Sequence, residues 1–208
     1  GGASSCHEDD QTVELTIVHT NDLHSRLRAE PSPSQRNPYG LGGLARIKSL
    51  VDGIRAKKPN TLLLDGGDWA EGGLAFSVDA GSNMLRLMDA MGYDAVVAGN
   101  HDWLNGPSEL ANAGERAAPR FPVLGANKDL SSVADRARVE KAMPEYVLLE
   151  RGGVRVAVIG LLTDDLVFRP FFRPGIITSP TTKAIALTKK LYAEKAADVF
   201  VLLSHNNF

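Results

Sequence analysis

Four apolar runs in this chain each end in a turn carrying acids, histidines or asparagine. Leu15-Thr16-Ile17-Val18 leads into His19-Thr20-Asn21-Asp22-Leu23-His24, and Thr61-Leu62-Leu63-Leu64 into Asp65-Gly66-Gly67-Asp68. Ala95-Val96-Val97-Ala98 leads into Gly99-Asn100-His101-Asp102, and Val199-Phe200-Val201-Leu202-Leu203 into Ser204-His205-Asn206. Read as strands, these runs constrain the chain strongly. Parallel strands of an open α/β sheet deliver their following loops to one shared edge, where ligands bind. Asp22, His24, Asp68, Asn100, His101 and His205 would meet there. Such a ring of hard oxygen and imidazole ligands suits two divalent cations sharing a carboxylate.

Between the runs the periodicity is helical. Leu44, Ile47, Leu50, Val51 and Ile54 predict a helix over about residues 43–57, ended by Pro59. Met84, Leu85, Leu87, Met88 and Met91 predict another near 81–91, stopped by Gly92, with the methionines as core filler. Further helices are expected near 107–117 and 181–196, and a short strand near 122–126. Tyr146–Glu150 and Val154–Leu162 read as a hairpin turning on Arg151-Gly152-Gly153. Loops are expected through the Pro/Ser/Asn stretch 31–38, the glycine-rich stretch 66–73 and the Pro-rich stretch 163–180. Strand–helix–strand repetition argues for parallel packing, and the hairpin adds an antiparallel element.

Composition narrows the function classes. A chain of 208 residues, 43% hydrophobic and with net charge -2, can bury a sizeable core but has no basic footprint for a nucleic-acid polymer. No apolar run reaches the length of a transmembrane segment. The single cysteine, Cys6, rules out internal disulfides and lies far from the Asp/His turns. Residues 1–12 are small, polar and then acidic. They read as a flexible leader, and residues 13–208 as the folded unit. An exported protein at the periplasm, cell surface or exterior, with a lipid anchor at Cys6, is one reading of that start; a processing remnant is the other.

Each motif is modest alone. Asp22 and His24 are alternate residues leaving a strand, so both could grip one cation. Gly66 and Gly67 let the backbone turn sharply and bring Asp68 in close. Asn100-His101 sets an amide oxygen beside an imidazole. Gly40-Leu41-Gly42-Gly43-Leu44-Ala45 fits a dinucleotide pattern, but a Pro-rich loop precedes it where a strand is required. Arg26, Arg28, Arg169 and Arg173 could attract an anion, although such arginines more often pair with acids. Phe171-Phe172 could form a partner surface.

Taken together, His19-Thr20-Asn21-Asp22-Leu23-His24, Gly42-Gly43-Leu44-Ala45-Arg46-Ile47, Asp65-Gly66-Gly67-Asp68, Gly99-Asn100-His101-Asp102 and Leu203-Ser204-His205 resemble the catalytic domain of the 5′-nucleotidase branch of the calcineurin-like binuclear metallophosphoesterases. The resemblance implies a layered sandwich of mixed β-sheets flanked by helices. It implies two divalent ions (Mn, Zn, Fe or Co), with Asp22 and His24 on the first metal, Asp68 bridging, and Asn100 and His205 on the second. His101 would contact the phosphate and steady the leaving oxygen, Asn100 also touching substrate, with Asp102 orienting His101. The implied reaction is hydrolysis of phosphate monoesters, most simply nucleotides, by a water deprotonated between the cations.

Two departures accompany the resemblance. The family continues into a Gly-His-x-His or Gly-His-x-Gln element and a C-terminal substrate-specificity domain, neither of which falls within these residues; the chain is thus expected to be partial and, alone, weakly active. Nucleotidases of this type often carry an acid three residues after the histidine of the Asn-His pair, and here that residue is Leu104. A phosphodiester, nucleotide-sugar or sulfur-ester hydrolase on the same scaffold, or a binding module with a weakened site, remain the alternatives.

Overall fold

The computed structural model describes residues 12–29 and 40–206. The expected leader through residue 11, the anchor at Cys6 and the Pro-rich stretch 31–38 lie outside the described residues.

Four strands, β1 (Thr16–Thr20), β2 (Thr61–Asp65), β3 (Ala95–Val97) and β4 (Val123–Leu124), form one sheet in chain order. All three pairings are parallel. Strand β2 is buried along its whole length, as an apolar run covered on both faces must be. Helices α1 (Leu44–Arg55), α3 (Ser82–Met91) and α4 (Pro107–Ala117) contribute Leu44, Val51, Met84, Leu85, Met88 and Leu110 to the same core.

A second sheet supplies the opposite cover. Strands β6 (Tyr146–Arg151) and β7 (Val154–Leu161) form the expected hairpin, its turn on Gly152 and Gly153, both at positive φ (58° and 82°). That conformation matches the twist of the flanking strands. Strand β9 (Val199–Ser204) pairs with β7 in parallel. Successive β7 side chains then serve different layers. Val156 and Val158 join the large core with β2 and β3, while Ala157, Ile159 and Leu161 pack with Ala184, Leu187 and Leu191 of α6 (Pro180–Ala193). The result is two sheets face to face with helices outside: the layered α/β sandwich anticipated, one sheet wholly parallel and the other mixed.

Short elements escape the periodicity. These are α2 (Leu74–Asp79), α5 (Arg136–Ala142), the two-residue antiparallel pair β5 (Lys128–Asp129) and β8 (Ile176–Ile177), and a 3-10 turn at Arg169–Phe172. Segments of two to seven residues hold too few turns or alternations to show a period. The Phe pair divides: Phe171 is exposed, but Phe172 is fully buried with its ring edge-on to Trp103 at 5.6 Å. Phe172 therefore belongs to the core and not to a surface shared with Phe171. Arg169 pairs with Asp164 at 3.3 Å, the ordinary outcome for such an arginine. Among the described residues no helix is long and apolar enough to cross a membrane.

The sheets approach closely at Gly160, where an added Cβ would lie 2.2 Å from the Leu124 Cβ. Gly160→Ala is expected to destabilise the protein by about 1–3 kcal/mol through overpacking, measured by thermal or denaturant unfolding. Unchanged stability would mean that the sheets can separate at this point.

Candidate metal centre

Every strand that ends in an acidic or histidine-bearing turn delivers it to the same edge. The loops are joined there main chain to main chain. The N–H groups of Asp22, His24 and Ser25 donate to the carbonyls of Gly67 (2.9 Å), Asp68 (2.9 Å) and Trp69 (3.1 Å). The first loop thus runs along the second like an added strand, but a strained one. Asp22 (φ 54°), His24 (45°), Ser25 (53°) and Asp68 (59°) all occupy the left-handed region. Such strain costs on the order of 1 kcal/mol per residue and clusters where function requires it. This corrects the expectation that Asp22 and His24 share a face as alternate residues of an extended chain; their common direction comes from left-handed backbone.

Two fully buried tryptophans pin the loops from below. Trp69, next to Asp68, donates its indole N–H to the Val97 carbonyl (3.3 Å), and Trp103, next to Asp102, packs on Phe172. Close approach is possible because residue 99 is glycine: an added Cβ there would lie 2.1 Å from Asp68 Oδ1.

Asp68 is the centre of the arrangement. Its Oδ2 lies 3.2 Å from His205 Nε2 and 3.7 Å from His24 Nε2, and its Oδ1 accepts the backbone N–H of His101 at 2.9 Å. His24 Nε2 is also 3.6 Å from Asp22 Oδ1. Asp22, Asp68, Asn100 and His205 line one cavity of about 680 Å³, walled by Ile17 and Phe168 among others. His101 stands beside it, its ring 5.2 Å from that of Phe168 and 5.1 Å from that of His24.

Tautomers follow from the hydrogen bonds. His24 Nδ1 is 2.7 Å from the Glu71 carbonyl oxygen and His205 Nδ1 is 2.8 Å from that of Gly66. A carbonyl oxygen only accepts, so both Nδ1 atoms carry hydrogen, and any lone pair for a metal is on Nε2. Both Nε2 atoms face Asp68. Ligand atoms of Asp22, His24 and Asp68 lie within 4.8 Å of one another. Those of His24, Glu71 and His101 do as well; there the His24 atom 4.0 Å from Glu71 Oε2 is Nδ1, which is already bonded to a carbonyl. The donor set around Asp68, faced by two Nε2 atoms, fits a divalent cation.

Asp102 does not orient His101. Its Oδ2 accepts the N–H groups of Asp68 (2.9 Å) and Gly99 (2.7 Å), and its Oδ1 that of Ala70 (2.8 Å). The carboxylate is turned inward and joins the loop after β2 to the loop after β3. The acid on His101 is Glu71, whose Oε2 is 3.0 Å from His101 Nδ1, a residue the sequence reasoning passed over. Its signal was the Gly72-Gly73 pair that follows. Gly72 has φ 137°, and a Cβ there would lie 2.4 Å from the His24 carbonyl oxygen, so this loop had to pass close to the first.

Burial and charge act on the acids in different proportions. Burial opposes the charge of Asp68, but the hydrogen bond and charge of His205 and the His101 N–H hold it below the usual carboxylate range. Burial pulls His205 down, and Asp68 outweighs this and lifts it to about 9. Burial raises Asp65 to about 7 against the hydrogen bonds it accepts from Thr20 and the Gly67 N–H. Burial, reinforced by the charge of Asp68, raises Asp102 well above its ordinary value, opposed by its N–H donors.

A family model, calcineurin-like phosphoesterase, matches residues 15–208, and the chain belongs to this family. Protein UshA of Escherichia coli (strain K12) is 32% identical over 206 residues, which cover 96% of this chain and 35% of that protein. The 5′-nucleotidase of Rattus norvegicus is 33% identical over 94% of this chain and 34% of its own length. Among solved structures, a 5′-nucleotidase precursor from Thermus thermophilus superposes with a TM-score of 0.79 at 31% identity, covering 92% of this chain and 37% of that one. The NAD nucleotidase of Haemophilus influenzae gives 0.78 at 26% identity, covering 92% and 34%. The chain spans about a third of the length of the curated relatives it matches.

Two outcomes are expected. Asp102→Asn removes an acceptor from a carboxylate serving three buried N–H groups, and should lower stability by about 1–3 kcal/mol in denaturant unfolding. Reduced turnover at unchanged stability would restore the His101-orienting role. In metal-free protein, the His205–Asp68 pair stabilises the fold fully below the ordinary imidazole value near 6.5, where both states of His205 are protonated, as long as Asp68 stays ionised. As pH rises from about 6.5 through about 9, the unfolded chain and then the folded one lose that proton, and stability of order 3 kcal/mol disappears. His205→Gln should flatten that slope in unfolding measured from pH 5 to 10; an unaltered slope would refute the pairing.

Proposed function

We propose that this chain performs the chemical step of a metal-dependent phosphoesterase that hydrolyses phosphate monoesters, nucleotides foremost. The observation that carries this reading is the convergence of the His24 and His205 Nε2 atoms on one oxygen of buried Asp68, with Asp22 beside them. The reading draws further support from 5′-nucleotidases among the relatives and from a NAD nucleotidase among the structural neighbours.

Under it, Asp22, His24 and Asp68 would hold one divalent cation, and Asp68, Asn100 and His205 a second. Two such ions, Mn, Zn, Fe or Co, would supply positive charge against the phosphoryl oxygens and bring deprotonation of an attacking water towards neutral pH. The chain's own residues do the remainder. Asp68 stays ionised and shared because Gly99 leaves room for its carboxylate and His101 N–H donates to it. Asn100 contacts substrate from the cavity wall. His101 donates a proton or hydrogen bond to the departing ester oxygen. The cavity of about 680 Å³ falls within the range of small-molecule sites. Choice among nucleotides is assigned to sequence outside this span, in keeping with the greater length of the relatives.

In the full-length protein, Asp68→Ala should abolish release of phosphate from nucleoside 5′-monophosphates at every concentration of added metal. Chelation of the wild type should do the same reversibly. Full activity in Asp68→Ala would overturn the assignment, and a preference for bis(p-nitrophenyl) phosphate over monoesters would move it to diester chemistry.

A further inference from the structure

Glu71 is the one residue of the cluster to which the proposed reaction gives no part. It lies three residues beyond Asp68, with its side chain 36% exposed. It touches two imidazoles in different ways. Its carbonyl oxygen accepts the Nδ1–H of His24 at 2.7 Å, and its carboxylate Oε2 lies 3.0 Å from Nδ1 of His101 and 4.0 Å from Nδ1 of His24. Since His24 Nδ1 already has the carbonyl as its partner, the carboxylate is left to His101. No competing orienter comes from Asp102, whose two oxygens both face backbone N–H groups.

A carboxylate at one ring nitrogen of histidine keeps hydrogen on that nitrogen and fixes the plane of the ring. The other nitrogen then carries the exchangeable proton in a defined direction. Phe168 limits the ring on another side, its centroid 5.2 Å away. The main-chain half of Glu71 performs the same service for His24, so one residue sets the protonation pattern of two neighbouring imidazoles.

We propose that Glu71 is the positioning residue for His101, an inference that rests on the reading of His101 as donor to the leaving oxygen. In the step it serves, a water oxygen bonds to phosphorus, its displaced proton passing to solvent, and the ester P–O bond breaks. The bonding pair remains on the alcohol oxygen, which takes the Nε2 proton of His101. The ring ends neutral, with Nδ1–H still directed at Glu71. The contribution of Glu71 therefore scales with the need of the departing oxygen for a proton: large for the alkoxide of a nucleoside, small for p-nitrophenolate, which leaves as a stable anion.

The test uses the full-length protein with its native metal complement and compares Glu71→Gln with the wild type on a nucleoside 5′-monophosphate and on p-nitrophenyl phosphate. Glu71→Gln should lower kcat on the nucleotide by about 10- to 100-fold with little change in KM. On p-nitrophenyl phosphate the loss should stay within about 3-fold, and bound metal should be unchanged. In a His101→Asn background the same substitution should add almost nothing, because the two residues act as one unit. Equal activity of Glu71→Gln and wild type on both substrates would overturn the proposal. So would an equal loss on both accompanied by loss of metal, which would make Glu71 a support for His24 instead. Failure of the wild type to hydrolyse either substrate would be a different result, one that removes the phosphoesterase reading itself.

Discussion

Asp102 accepts three backbone N–H groups, from Asp68, Ala70 and Gly99, at a point where the loops following β2 and β3 would otherwise bury unpaired donors. Each of those loops carries part of the site, Asp68 on one and Asn100 with His101 on the other. The hydrogen bonds hold them within contact, and His101 N–H returns a bond to Asp68 Oδ1. The loop following β1 is then attached to the second by three main-chain bonds, and the imidazole following β9 reaches in to the Gly66 carbonyl. A buried carboxylate that bonds only to backbone thus determines where the Asp68 carboxylate, the Asn100 amide and the imidazoles can be.

The sandwich supports this junction from beneath. Parallel β1, β2 and β3 bring their C-terminal ends to one edge, and β7 brings β9 parallel to itself in the second sheet, so four loops face one cavity. Trp69 and Trp103 adjoin Asp68 and Asp102 in sequence and are wholly buried, so the polar residues rest on packed indoles. Interior packing of this density resists small displacements, and that stiffness lets the four left-handed residues of the site persist despite their intrinsic cost.

Much of this was legible in the residues alone. The strands that carry the site appeared as apolar runs because β2 and β3 are buried throughout, and the hairpin appeared because Gly152-Gly153 names its turn. Asp22, His24, Asp68 and His205, which the structure brings together, stood out because each lies in the turn that follows such a run. Asp102 was misjudged because it adjoins His101, and adjacency in sequence says nothing of which way a side chain turns; three unpaired N–H groups lay inward. Glu71 was passed over because an acid in a glycine-flanked loop looks like solvent-facing charge, and its partner is thirty positions away. The left-handed backbone at Asp22 and His24 carried no signal, since neither residue is glycine. Helix α5 and the β5–β8 pair are too short for periodicity to register.

The two groups that select which nitrogen His24 and His205 present are main-chain oxygens, those of Glu71 and Gly66. Every amino acid carries that oxygen, so exchanging side chains at 66 or 71 leaves the acceptor itself in place. What such a site must conserve is the path of its loops, and this gives the neighbouring side chains latitude to diversify while the imidazoles keep the same face towards the centre.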